Sequence, residues 1–199
     1  EEPVEQRFGI PLLPEGTYRF VRCTSCGTLY VDSHVTDEYL AEIYRAETIE
    51  CDQGGAGIGD AHARVRGRRV PEFIAHWRLI AAARPPKPGE RLLDLGCQMG
   101  DFGEVASRSG VIPNGIELSE AYAQACRERW GGQSEVFYGP IRSAPFAAAS
   151  MQYVTAFETL EHVCDPVDVL RALGQLLADD GILAFSVASS DYFHFKFWL

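Results

Sequence analysis

The chain has 199 residues, 46% of them apolar, with six cysteines and a formal net charge of −10. That length and apolar share suit one sizeable core plus a small appendage and exclude a disordered chain. The acidic balance argues against general affinity for nucleic acid or an anionic membrane surface, and there is no apolar run of about 18 residues to span a bilayer.

With no leader-like segment at its start, the sequence predicts a cytoplasmic protein. It opens on EEPVEQ without methionine and stops at the aromatic YFHFKFWL, so we expect a fragment of a longer chain. Residues 1–50 read as a small N-terminal module. Strand-like alternation in TYRFVRCTSCGTLYV surrounds Cys23 and Cys26, and the helical DEYLAEIY follows. The C-x-x-C spacing is that of half a tetrahedral zinc site, and one pair plus four single cysteines fits reduced thiols better than a disulfide framework. His34, Cys51 and His62 are further candidate ligands that no spacing singles out. Residues 51–69, CDQGGAGIGDAHARVRGRR, show no sustained periodicity and read as a linker or lid. GGAGIG lacks the strand before and the lysine after that a phosphate loop needs. Arg64, Arg66, Arg68 and Arg69 suit either a grip on a phosphorylated substrate or a solvated helix start.

A main domain is expected over residues 70–199. PEFIAHWRLIAAA puts Phe73, Ile74, Trp77, Ile80 and Ala81 on one helical face, with Pro71 in the first turn. Strand-like runs at RLLDLG, VIPNGIEL, SEVFYG, YVTAFE and GILAFSVAS then alternate with helical DFGEVASRS, EAYAQACRERW and PVDVLRALGQLL. This pattern predicts an α/β fold, a doubly wound Rossmann-like sheet that is mostly parallel. Asp101 with Glu104 reads as a capping box, Ser119 and Asp165 as helix caps, and Gly110, Gly131 and Gly181 as stops.

The first turn of that domain, DLGCQMG, carries Asp94 ahead of Gly96 and Gly100. Glycines there let the backbone turn at the carboxyl end of a strand, where open α/β sheets bind ligands. An acid before the first glycine opposes a pyrophosphate and suits a ligand carrying positive charge. The order G-x-G-x-x-G of a nicotinamide site is absent. Glu117 ends the second strand, where a carboxylate accepts both hydroxyls of a ribose, and Leu118 can lie against a purine.

With FETLEHVCDP after the fourth strand, the run from Leu92 to about Val187 resembles the class I S-adenosylmethionine-dependent methyltransferases. The resemblance implies that Asp94 and Gly96 serve the methionyl end of that cofactor, with Cys97, Gln98, Gly100 and Phe102 also in its binding site. Glu117 would hold its ribose, Leu118, Ile141 and Arg142 its adenine, and Phe157 would border the site. It implies His162 as the base that removes a proton from an acceptor hydroxyl; the alternative is that Glu158, Glu161 and His162 brace the strand-to-helix turn. The sequence departs from the family at Gln98, where a glycine is usual, at Pro140 in place of an acid, and at Gln152 in place of an aspartate.

The implied activity is methyl transfer to a small-molecule acceptor at oxygen, carbon or nitrogen, with neither nucleic acid nor membrane as partner. The alternative is a non-catalytic binding or regulatory protein on the same scaffold, which the departures favour. Cys23 and Cys26 resemble part of the N-terminal zinc module of some sugar C-methyltransferases. Strands expected after GILAFSVAS are missing, so the domain reads as C-terminally incomplete.

Overall fold

The apolar runs read as buried strands are strands in the computed structural model, which describes residues 2–4, 20–31 and 58–187. The main sheet contains β4 (Arg91–Leu95), β5 (Ile112–Glu117), β6 (Val136–Tyr138), β7 (Met151–Phe157) and β8 (Leu177–Ser186), in the order β6-β5-β4-β7-β8. Every neighbouring pair in it is parallel. Parallel strands need crossovers, and helices supply them: α2 (Asp101–Ser107), α3 (Glu120–Trp130) and α4 (Pro166–Leu176) follow β4, β5 and β7, while α1 (Ile58–Ala83) precedes the sheet.

Both faces of the sheet are covered, so its strands are apolar nearly throughout. On one face Leu93, Leu95, Ile116 and Val154 pack with Val169 and Leu173 of α4. On the other, Leu92 and Tyr153 pack with Trp77 and Ile80 of α1 and with Phe102 and Val105 of α2. The strand order reverses at β4, which has β5 on one side and β7 on the other, so the crevice for a ligand opens at the carboxyl end of β4.

The opposite end of the sheet is pinned by Arg84. Its guanidinium donates to both Glu90 carboxylate oxygens (2.9 and 2.8 Å), to the Tyr153 hydroxyl (2.7 Å) and to Asp180 Oδ2 (3.0 Å). One side chain thereby ties the end of α1 to β7, β8 and the residue before β4, and the Arg84 hydrogen bonds hold the Glu90 carboxyl down at about 2.

Several boundaries differ from the sequence reading. α1 begins at Ile58, inside the stretch read as linker, so Pro71 lies within the helix and gives up a hydrogen bond to the Gly67 carbonyl. Alanine and arginine favour helix there without showing an apolar period. Asp101 is no cap: Gly100, left-handed, occupies that position, and Asp101 pairs with Arg129 (2.7 Å). Gly181 stops no helix, because α4 ends at Leu176 and the glycine lies within β8, in the stretch where the register against β7 shifts between Leu177 and Ile182. Ser119 and Asp165 do cap their helices, accepting from Tyr122 N (3.4 Å) and Asp168 N (2.9 Å).

A separate antiparallel sheet joins β1 (Glu2–Val4), β2 (Phe20–Arg22) and β3 (Leu29–Val31). The β2–β3 turn carries the C-x-x-C pair: Gly27 N donates to Cys23 O (2.9 Å), Cys23 N donates to Thr28 O (2.8 Å), and Gly27 takes φ 76°. The helix expected at DEYLAEIY, together with His34 and Cys51, lies outside the described residues.

Candidate functional site

β4 delivers the chain into a tight turn in which Gly96, Gln98 and Gly100 all take left-handed φ, at 72°, 47° and 81°. The glycines are sterically required. A Cβ on Gly96 would stand 2.8 Å from Thr159 Oγ1, and one on Gly100 would stand 2.6 Å from Trp130 Nε1. Gln98 adopts this conformation with a Cβ, at a cost of about 1 kcal/mol. Its amide donates to Glu117 Oε2 (2.8 Å) and its Oε1 accepts from Arg69 Nη1 (3.2 Å), which hold the strained residue in place.

Glu117 ends β5 beside this turn, and its other oxygen accepts from Leu118 N (2.8 Å) and Ser119 N (2.9 Å). Asp94, one strand over, accepts from Thr155 Oγ1 at 2.7 Å. The two acids are only 5% and 6% exposed, and among the described residues no cationic side chain bonds to either. Burial pushes Asp94 up to about 7, opposed by the Thr155 hydroxyl and aided by the Glu117 charge. Burial also raises Glu117, against the pull of its three amide donors. Two buried acids short of positive charge fit a cationic ligand and disfavour a phosphate.

The cavity at the tip of β4 brings together six residues the sequence singled out: Asp94, Gly96, Cys97, Gln98, Phe102 and Phe157. Arg69, Phe73, Met99 and Asp101 join them. Leu118 takes part through its amide. Cys97 points away from a reactive role: the Cys126 thiol hydrogen-bonded to it, and then burial, push its own thiol well up.

Other residues named from the sequence lie outside this cavity. Ile141 and Arg142 form a 3-10 turn after β6, where Arg142 pairs with Asp168 (2.9 Å). His162 ends the 3-10 turn after β7, exposed, its amide donating to Thr159 O (3.0 Å). Glu158 is tied to β8, accepting from Ser186 Oγ at 2.8 Å. Gln152 sits at the far end of β7, where its Oε1 accepts from Arg91 N (2.8 Å), so this departure concerns strand pairing and not the crevice.

Sequence reasoning missed His76. Its ring stacks on Phe157 with centroids 4.6 Å apart, and its Nδ1 is buried without a partner among the described residues. A lone histidine within an apolar helical run gives no sign of this placement. In the N-terminal hairpin, Cys26 Sγ lies 3.2 Å from Thr28 Oγ1, which pulls the thiol down. Among the described residues no group of three or more His, Cys, Asp or Glu side chains is placed to hold a metal.

Comparison with known proteins bears on the same segment. A family model described as a methyltransferase domain matches residues 66–197. The ubiquinone biosynthesis O-methyltransferase of Thiobacillus denitrificans is 34% identical over 107 residues, covering 52% of this chain and 46% of that protein. Its namesake from Xanthomonas campestris is 35% identical over 109 residues, covering 53% and 46%. The chain thus spans about half the length of the curated relatives it matches. Among solved structures, an S-adenosylmethionine-dependent methyltransferase from Mesorhizobium loti aligns with TM-score 0.50 at 25% identity, covering 57% of this chain and 52% of that one. Phosphoethanolamine N-methyltransferase 1 of Haemonchus contortus shares the fold, with TM-score 0.59 at 17% identity, covering 79% and 34%. The acid-led turn, the acid on the next strand tip and the strand order all lie within the matched segment, and the chain belongs to the methyltransferase-domain family of class I, S-adenosylmethionine-dependent enzymes.

Proposed function

We propose that this chain transfers a methyl group from S-adenosylmethionine to a hydroxyl of a small-molecule acceptor. The observation that carries the reading is the pair of buried acids, Asp94 and Glu117, on neighbouring strands, with no cationic side chain bonded to either among the described residues. The relatives' O-methyltransferase names support oxygen as the atom methylated. When bound, S-adenosylmethionine supplies a methyl group on a sulfonium, open to in-line attack. The protein's own part is to bind, orient and exclude water. Asp94 faces the cationic end, Arg69 is placed for the carboxylate, and Glu117 accepts from the ribose. Leu118, with Ile141 and Arg142 through their backbone, serves the adenine side. Phe157 and His76 form an aromatic wall on the acceptor side.

His162 is the acceptor's base in this reading, and its exposed turn leaves it accessible. His162→Ala then lowers turnover steeply and leaves cofactor affinity intact; unchanged turnover would assign the residue to bracing the turn. The reading as a whole is tested by calorimetric titration with S-adenosylmethionine, followed by a screen of hydroxylated small molecules for production of S-adenosylhomocysteine. No binding would favour a non-catalytic scaffold.

For the N-terminal hairpin we propose a structural zinc held in part by Cys23 and Cys26, supported by their spacing and by the lowered Cys26 thiol. The other ligands would come from beyond the described residues. Metal analysis of purified protein and of Cys26→Ser tests this. The domain division proposed is a module over 1–50, a connecting segment over 51–69 that includes the start of α1, and the methyltransferase domain over 70–199. A cytoplasmic location accords with thiols outside any disulfide at Cys23, Cys26, Cys97 and Cys126.

A further inference from the structure

We propose that Thr155 is a positioning residue for the cationic end of the cofactor, its hydroxyl fixing the Asp94 carboxylate so that the second oxygen is left for the ligand. The inference rests on the proposed function. Asp94 and Thr155 are register partners on the parallel strands β4 and β7, so their side chains stand side by side. Thr155 is fully buried and Asp94 is 5% exposed. The hydroxyl reaches Asp94 Oδ1 at 2.7 Å, and its other acceptor, Leu93 O, is distant at 3.4 Å. Asp94 Oδ2 has no protein partner among the described residues, and Asp94 lines the cavity.

The residues around Thr155 on β7, Tyr153, Val154 and Ala156, are buried and carry no polar group at the crevice end. Valine would fill the same space with the same stiff χ1. What threonine adds is a donor, and a donor on Oδ1 both orients the carboxylate and favours its charged form. The other titratable groups near Asp94 do not replace that donor. Glu117 on β5 is a like charge that opposes ionisation, and Cys97 in the turn has its thiol pushed up. Arg69 of α1 and Asp101 of α2 line the cavity, where Arg69 donates to Gln98 Oε1 and Asp101 pairs with Arg129.

The test is calorimetric titration of the whole chain with S-adenosylmethionine between pH 6 and 9, for wild type, Thr155→Val and Thr155→Ser. Without the hydroxyl, lost charge alone should make binding by the valine variant about fivefold weaker at pH 7, with the pH dependence of affinity moved up by about one pH unit. The charge-dependent part of the loss should be gone by pH 9, a smaller part from the unoriented carboxylate should remain there, and the serine variant should follow wild type throughout. A valine variant with the wild-type profile, or one weakened equally at every pH, would overturn the proposal, as would a serine variant that fails like valine. Wild-type protein that binds no S-adenosylmethionine at any pH would overturn the function itself, and the role of Thr155 with it. A second measurement needs no variant: NMR should show a slowly exchanging Thr155 hydroxyl proton whose shift follows the Asp94 titration. A rapidly exchanging proton would count against the proposal.

Discussion

Replacing Asp94 by asparagine should make the ligand-free protein more stable at neutral pH while removing its affinity for S-adenosylmethionine. Burial lifts the Asp94 carboxyl from 3.8 to about 7. An acid raised on folding stabilises the native state fully below its unfolded value, and that contribution is lost as pH rises through the folded one. The window here runs from about pH 4 to pH 7, and at about 1.4 kcal/mol per pH unit the loss approaches about 4 kcal/mol. Asparagine keeps an acceptor for the Thr155 hydroxyl and has no charge to bury. Urea denaturation at pH 4.5 and pH 8 measures the effect. Asp94→Asn should gain about 2–4 kcal/mol on wild type between those two pH values. Saturating S-adenosylmethionine should reverse the ranking at pH 8, since only wild type is stabilised by it. Parallel pH profiles for the two proteins, or an asparagine variant that still binds the cofactor, would refute the reasoning.

Glu90→Gln should destabilise the fold by about 2 kcal/mol at pH 7, since it weakens the charged bonds to Arg84. The wild-type margin should be full above about pH 4.5 and shrink as pH falls toward about 2, because the Glu90 carboxyl is depressed in the folded state; chemical denaturation across that range is the check. Gly103→Ala should cost about 1–2 kcal/mol in thermal melts despite alanine's helix propensity, because its Cβ would meet the Trp130 ring and stand 2.9 Å from Pro113 Cβ. A carboxylate offers about four acceptor positions. Glu117 already accepts three amides, so taking both ribose hydroxyls should displace the Gln98 amide, the one donated from the turn. A large NMR shift and faster exchange of the Gln98 amide on cofactor binding would show this, and an unmoved amide would contradict it.

The parts of the site legible in the sequence were those that backbone geometry dictates. Gly96 and Gly100 had to be glycine because Thr159 and Trp130 leave no room for a Cβ, and Glu117 stood out because an acid at a strand tip breaks an otherwise apolar pattern. Thr155 was invisible for the opposite reason: a β-branched residue in YVTAF reads as a strand former, and only pairing of β4 with β7 shows its hydroxyl against Asp94. Arg69 lay in a stretch with no apolar period, so neither the early start of α1 nor its reach to Gln98 could be read. Gln152 read as a departure favouring a non-catalytic scaffold because family position was the only guide, and the register places it at the other end of β7. The alternation of strands and helices and the parallel sheet followed from periodicity, whereas the run of β8 through Gly181 did not, since a lone glycine signals a stop and an irregularity within a strand equally well.

The central claim is that two buried acids on neighbouring strand tips hold a cationic nucleoside. It is tested most directly by calorimetry of wild type and Glu117→Ala with S-adenosylmethionine, and of wild type with a nicotinamide dinucleotide. The account predicts that S-adenosylmethionine binds wild type at micromolar concentrations, that the alanine variant loses this binding, and that the dinucleotide does not bind. Tight binding of the dinucleotide, or equal S-adenosylmethionine affinity in the two proteins, would contradict it.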